Sequence, residues 1–295
     1  MMFELILAAI RGSGKQAGPS IFSLLIKKAK SLAFLKDESA VASLEIIGKG
    51  SCGYVFKAEL PGSNGKIIAV KKMSYIRSEI STVGQIRHRN LLPLLAHVSR
   101  PECHFFVYEF MKNGSLQDIL TDVAAGNREL TWPARYKIAL GVAAGLEYLH
   151  MDHSPRIIHS DLKLANVLLD DDMEARISGF EQAMAYIAPE YHQTLIFTDK
   201  CDIFSFGVIL GFLVIGKLPF NKFFELTDEM SLNKWMRKKI TSENPSIAID
   251  PKLMEQGFDE QILLVLKIAC YCTLKDPRQR PNSKDVRTML SQIKH

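Results

Sequence analysis

The sequence predicts an α+β chain in two parts: a small antiparallel-sheet lobe with one helix, then a larger, mainly helical lobe. Three observations point there. Residues 44–109 run as short β-rich segments broken by turns, whereas after Asn113-Gly114 the apolar residues recur at helical spacing. A glycine-rich run, Gly48-Lys-Gly50-Ser-Cys-Gly53, leads into the strand-like Tyr54-Val-Phe-Lys-Ala-Glu rather than into a helix. The chain has 295 residues, 47% of them hydrophobic, enough to bury the core of one large domain or of two lobes.

Taken in order, residues 44–49, 54–60 and 66–72 read as three strands, with Pro61-Gly62-Ser63-Asn64-Gly65 turning between the last two. Residues 74–87 read as a helix, and 91–98 and 104–109 as two more strands. Trp132-Pro133 opens a long helix with Ile138, Val142, Leu146 and Leu149 along one face. Further helices are expected over 199–215, 231–240, 260–271 and 283–294. The main domain is placed at 39–295, with lobes at 39–110 and 114–295.

Residues 1–38 are expected to be an apolar start and a juxtamembrane linker, with 12–20 flexible. Met1 to Ile10 is apolar apart from Glu4, and Arg11, Lys15, Lys27, Lys28 and Lys30 follow. Ten residues are too few to span a bilayer, which needs about 20. They read either as a terminal helix or as the inner end of a membrane segment with its positive flank, hence a membrane contact through residues 1–10. Net charge is only +5, and no basic-aromatic interleaving supports nucleic-acid binding. The five cysteines form no CxxC pair and no zinc spacing, which reads as a reduced, intracellular chain.

The chemistry sits in ordered motifs. Gly48, Gly50, Gly53 and Val55 form a GxGxxGxV run, whose glycines let backbone amides approach nucleotide phosphates. Lys71 ends the strand Ile68-Ala69-Val70-Lys71, where an ammonium needs an anionic partner: a phosphate, or Glu79. His159-Ser160-Asp161-Leu162-Lys163-Leu164-Ala165-Asn166 is the most specific run. It matches the pattern H-R-D-L-x-x-x-N except at Ser160. Asp161 is placed to accept a substrate hydroxyl proton, Lys163 to neutralise a transferring phosphoryl group, and Asn166 to hold a metal ion. Ser178-Gly179-Phe180-Glu181, Ala188-Pro189-Glu190, Asp202 to Gly207, and Pro277 to Pro281 then follow in order. Glu190 and Arg280 are expected to form a buried ion pair.

These motifs together resemble the protein kinases. Arg87-His-Arg-Asn-Leu-Leu, Val107-Tyr-Glu-Phe-Met, Glu147-Tyr-Leu-His and Tyr186-Ile-Ala-Pro-Glu-Tyr191 resemble the plant leucine-rich-repeat receptor-like Ser/Thr kinases, over roughly residues 17–295. The resemblance implies a bilobal protein kinase fold, ATP with Mg²⁺, and phosphorylation of Ser or Thr. It also implies receptor-complex protein partners, immune signalling, and a place in the cytoplasm or on the cytoplasmic face of the plasma membrane. By the same resemblance Val55, Ala69 and Leu168 sandwich the adenine, and Tyr108, Glu109 and Met111 complete the nucleotide pocket. Val83, His159 and Phe180 belong to a packed column.

The sequence departs from that pattern in one functional module. Gly179 stands where the family has a magnesium-bridging aspartate. Losing such a ligand costs roughly 3–5 kcal/mol, or about 10²- to 10⁴-fold in rate. Glu181, two residues on, is a candidate substitute ligand. Residues 182–187 separate Glu181 from Ala188, a reach of about 20 Å when extended. That leaves no platform for a peptide and no Ser or Thr to be phosphorylated, and Ser160 replaces the arginine that would pair with such a phosphate. Lys71 and Glu79 are also closer in sequence than is usual. The expectation is therefore a kinase-shaped module with phosphotransfer weak or lost. The alternatives are an active Ser/Thr kinase and a gene model shortened at 72–79 and 180–188. A dinucleotide enzyme is disfavoured because no helix follows Gly53.

Overall fold

The computed structural model describes residues 18–50, 53–74, 80–179, 188–217, 223–224, 227, 229 and 231–294. They divide into two compact units. The first runs to Gln85 and includes Pro93–Phe110; the second takes Ile86–Leu92 and everything from Met111.

The first unit is built on one antiparallel sheet: β1 (Ser20–Ile21), β2 (Glu45–Gly50), β3 (Gly53–Glu59), β4 (Ile67–Met73), β5 (Leu94–Ser99) and β6 (His104–Glu109). Their order across the sheet is β1-β5-β6-β4-β3-β2. A short helix α1 (Glu38–Ala42) precedes β2 and a second, α2 (Ile80–Gln85), precedes β5. Side chains alternate along each strand, so each residue faces its directly paired partner on the same side. Phe56, Ala58, Ile68, Val70, Ala96, Val98, Phe105 and Val107 line one face and are all buried. The cover over that face comes from the segment before β2. Ile26, Leu32, Leu35 and Val41 pack into the same cluster, each contributing about 1.5–3 kcal/mol of burial.

The described part of the stretch expected to be a juxtamembrane linker, 1–38, is thus folded onto the sheet. Ser20 pairs with His97 in the sheet, and Ala29–Lys36 is a 3₁₀ helix. With three residues per turn, Leu32 and Leu35 fall on its inner side. The apolar start, residues 1–10, lies outside the described residues.

Two other expectations shift. Of the helix expected over 74–87, Ile80–Gln85 is seen; residues 75–79 lie outside the described residues, Ser74 is a bend, and residues 86–87 are not helical. The strand expected over 91–98 begins only at Leu94, because residues 86–92 belong to the second unit. Asn90 donates to Ala175 O at 3.0 Å. Its own carbonyl accepts from Ile177 N at 2.9 Å, and Leu92 N donates to Ile177 O at 2.8 Å. The lobe expected at 39–110 thus lends a stretch of chain to the other unit.

The second unit contains α3 (Leu116–Ala125), α4 (Trp132–Glu147), the hairpin β7 (Val167–Leu169) and β8 (Ala175–Ile177), then α5 (Tyr191–Thr194) and α6 (Asp199–Ile215). It ends with α7 (Leu232–Ile240), α8 (Asp259–Cys272) and α9 (Ser283–Ser291). Helix α4 buries Ile138, Val142 and Leu146, and Leu149 continues the stripe in the π-helical turn after it. Helix α6 is buried on every side from Cys201 to Ile215, as befits a helix apolar all round. Its glycines permit this. A Cβ on Gly207 would meet Cys272 Cβ at 2.6 Å, and one on Gly211 would meet Met236 Sδ at 2.5 Å.

Candidate active site

In the first unit Val55, Ala69, Lys71 and Tyr108 share the sheet face opposite the buried core, whereas Glu109 pairs with Ile68 on the core side. Val55 pairs directly with Lys71, and Ala69 with Tyr108. Val55, Ala69 and Lys71 are half-buried while their neighbours Phe56, Ile68 and Val70 are buried. Tyr108 is buried, and Glu109 holds Lys66 Nζ at 2.8 Å. The face is therefore apolar around Val55 and Ala69, with a lysine at the next paired position, the composition a purine and its phosphates would need.

The glycine run forms the β2–β3 hairpin, with Gly48 opposite Val55 and Gly50 opposite Gly53. Gly53 alone has no alternative: its φ is +150° and an added Cβ would sit 1.8 Å from Lys72 O. A Cβ on Gly50 would meet nothing within 4 Å, so only an approaching ligand would demand glycine there. Glu79, Phe180, Glu181 and residues 182–187 lie outside the described residues.

In the second unit Asp202, buried in α6, organises the loop that carries Asp161. Its Oδ2 accepts from His159 N at 2.8 Å and lies 2.9 Å from His150 Nε2; its Oδ1 accepts from Ser160 N at 2.9 Å. These bonds hold Ser160 at φ +66°, a conformation that costs a side-chain-bearing residue about 1 kcal/mol or more. The loop then doubles back. Asp161 N donates to His159 Nδ1 at 3.2 Å. That nitrogen is therefore bare, and the proton sits on Nε2, 2.9 Å from Ser178 O.

Asp161 itself is buried. Lys163 Nζ lies 2.9 and 3.2 Å from its two carboxylate oxygens. Asn166 Nδ2 donates to Asp161 O at 2.7 Å and to Asp161 Oδ2 at 2.8 Å. The three expected catalytic residues thus converge on one carboxylate able to orient or deprotonate a hydroxyl beside a cation. Leu168 is half-buried between the fully buried Val167 and Leu169, so it faces away from their core. Met111 is buried at the start of this unit.

Gly179 sits against Asn166. Ser178 N donates to Asn166 O at 2.8 Å, which sets the approach. With φ at +93°, a Cβ on Gly179 would meet Asn166 Nδ2 at 2.7 Å, Cγ at 2.8 Å and Oδ1 at 3.0 Å. Asn166 Oδ1 is a neutral oxygen, and position 179 supplies no carboxylate. Among the described residues no group of three or more His, Cys, Asp or Glu could hold a metal ion. Magnesium takes carboxylate oxygens together with phosphates, and the candidate substitute ligand Glu181 lies outside the described residues.

Glu190 and Arg280 form the expected ion pair, bidentate at 2.7 and 2.8 Å, with the guanidinium fully buried. Burial works to raise the Glu190 carboxyl, but the Arg280 hydrogen bonds and charge, a backbone hydrogen bond and the Cys201 contact together outweigh it and hold the group below its ordinary range. Two contributors carried little local sequence signal. Asp202 acts on a loop 42 and 43 positions earlier, and Asn90, within residues 86–92 of the same unit, fastens that stretch to β8.

A family model described as the protein kinase domain matches residues 41–290. The leucine-rich repeat receptor-like serine/threonine/tyrosine-protein kinase SOBIR1 of Arabidopsis thaliana is 71% identical over 331 residues, covering 99% of this chain and 52% of that protein. That span exceeds the 295 residues present, so the relative carries residues with no counterpart here. The brassinosteroid LRR receptor kinase BRI1 of Oryza sativa subsp. japonica is 36% identical over 84% of this chain and 24% of its own length. The chain therefore spans about half the length of the first relative and about a quarter of the second. Among solved structures, the pseudokinase domain of BIR2, an immune regulator of the RLK/Pelle family, matches with a TM-score of 0.78. It is 30% identical, over 97% of this chain and 93% of that one.

Proposed function

The chain belongs to the protein kinase family, within its receptor-like branch, and from that premise we propose a nucleotide-binding signalling module in which phosphotransfer is weak or lost. The observation that carries this reading is Gly179, lying with φ +93° against Asn166 and offering no carboxylate. Phosphoryl transfer rests on positioning and on charge neutralisation by metal, so this lack falls on the main term. Adenine recognition has separate support, because Val55, Ala69 and Lys71 share one sheet face. In this reading ATP is the ligand, Mg²⁺ adds little to its binding, and the protein partners are other members of a receptor complex. The site of action is the cytoplasm or the cytoplasmic face of the plasma membrane, in immune signalling. The likeness to SOBIR1, a receptor-like kinase, and to BIR2, an immune regulator, supports the receptor-like and immune parts of that proposal.

The second reading, an active Ser/Thr kinase transferring the γ-phosphate to protein hydroxyls, is favoured by one observation. Asp161, Lys163 and Asn166 are assembled as a working site would need them. Two measurements separate the readings. Melting temperature titrated with ATP should rise similarly with and without magnesium. Phosphate incorporation into a generic protein substrate should stay at the level of the Asp161→Asn variant. Robust turnover that disappears in Asp161→Asn would establish the active kinase instead.

A further inference from the structure

The segment before β2 covers the sheet with one side and presents a second surface to solvent. The turn at its start is held by Leu25 N on Ser23 Oγ at 3.2 Å and Ile26 N on Ser23 O at 3.2 Å. That turn tucks Ile26 into the core at 3% exposure and pushes Leu24 out to 96%. Leu25 and Ile21 beside it are 41% and 38% exposed. Lys27 and Lys28 follow directly, both exposed. In the 3₁₀ helix Ala29–Lys36, residues three apart eclipse, so Lys30, Ala33 and Lys36 line one outer face opposite Leu32 and Leu35. Among the described residues, Lys27, Lys28, Lys30 and Lys36 enter no ion pair, and burial leaves their ammonium groups in water.

Two exposed acidic residues, Asp37 and Glu38, adjoin the far end of this stretch. Asp37 is spent on α1, accepting from Ser39 N at 3.0 Å and Ser39 Oγ at 2.8 Å. Arg100, near Asp37 and 3.7 Å from Glu102, offsets the charge at that end. What remains is a protruding leucine pair in the same folded stretch as four exposed lysines that, among the described residues, enter no ion pair. A lone exposed leucine means little, but apolar side chains flanked by cations on one surface are the composition that enters an interfacial layer beneath negative headgroups.

We propose that residues 21–36 form a docking surface for an anionic lipid bilayer, with Leu24 and Leu25 entering the interface and Lys27, Lys28, Lys30 and Lys36 meeting the headgroups. The charge complementarity selects that occupant. The surface differs from the apolar start at residues 1–10 and is independent of whether the chain transfers phosphate.

The test is co-sedimentation of the whole chain with vesicles of phosphatidylcholine alone or mixed with phosphatidylserine. Binding is expected only to the mixed vesicles and should weaken as salt is raised. Lys27→Glu/Lys28→Glu/Lys30→Glu should lower the partition by about tenfold or more, and Lys→Gln at the same positions by less. Leu24→Ser/Leu25→Ser should lower it as well. All these side chains are exposed, so an unchanged melting temperature certifies that the variants fold. Leu5→Glu/Ile6→Glu should leave binding to the mixed vesicles in place. The proposal is overturned if the chain ignores the mixed vesicles, or if the lysine variants bind as well as the parent. It is also overturned if Leu5→Glu/Ile6→Glu alone abolishes binding, or if the surface captures an acidic polypeptide but no vesicle.

Discussion

Gly179 and Asn166 are packed so closely that a side chain at 179 requires the Asn166 side chain to move. Substituting Asp at 179 returns a carboxylate but adds a Cβ within 3.0 Å of three Asn166 atoms, at a φ that side chains rarely adopt. Gly179→Asp by itself should therefore leave phosphate incorporation within about tenfold of the parent, a barrier change of about 1.4 kcal/mol. It should also lower stability by about 1–2 kcal/mol from the backbone conformation alone. A kinase assay run beside urea denaturation checks both, and restored turnover in the single variant would show that Asn166 yields. Arg280 makes the contrasting case. Arg280→Ala leaves the Glu190 carboxylate in a buried pocket without its two hydrogen bonds. The expected cost is about 3–5 kcal/mol in urea denaturation. Glu190→Gln with Arg280→Met should recover a large part of it, because no uncompensated charge then remains.

Helix α2 shows how an element can depend on a segment distant in sequence. Its described part is six residues, too short to hold itself. Its Gly84 lies under the ring of Phe22, close enough that an added Cβ would sit 2.3 Å from Cε1. Phe22 is fixed in turn by its own N–H on Leu95 O at 2.9 Å. Gly84→Val should displace the ring and destabilise the first unit by about 1–3 kcal/mol, the range for overpacking. Phe22→Ala in the same chain should remove most of that penalty; additive losses in the double-mutant cycle would show that the two residues are uncoupled.

Elements of this kind also mark how far the sequence could be read. Strands β3, β4 and β6 are legible because Phe56, Val70 and Phe105 alternate with partly polar neighbours over a full strand length. The 3₁₀ helix Ala29–Lys36 is not, since Leu32 and Leu35 give one repeat inside a lysine-rich stretch that equally suits a linker. Helix α3 was legible in principle: Ser115 and Asp118 form a capping box, Leu116, Ile119, Leu120 and Val123 line one face, and Gly126 closes it. Asp161, Lys163 and Asn166 lie within six positions and could be read together. Asp202 could be read as the start of an ordered motif, but its bonds to His159 and Ser160 depend on a tertiary approach that no local pattern encodes.

For the molecule as a whole, these interactions set a pH dependence whose sign can be worked out group by group. His97 is buried in β5, stacked on His104 and tilted against Phe106, with its Nε2 3.2 Å from His104 Nδ1. Burial, and secondarily the neighbouring His104, push its pKa down to about 4. Burial lowers His104 in the same unit and His88 in the other. A histidine depressed in the fold is protonated more readily in the unfolded chain, so acid favours unfolding. The stability it represents is present above about pH 6.5 and drains away as pH falls toward the folded value. For His97 the full window is about 3 kcal/mol. Glu190 and Asp170 are held low and act in the same direction, with their contributions lost further down, below the ordinary carboxylate range. Urea-denaturation midpoints should therefore fall in two stages, one between about pH 6.5 and 4 and one below it. His97→Gln should flatten the first stage while leaving the second, because it removes the titrating ring without touching Glu190 or Asp170. If the variant keeps the same slope between pH 6.5 and 4, the histidine pair is not its source, and the acid sensitivity belongs to the second unit instead.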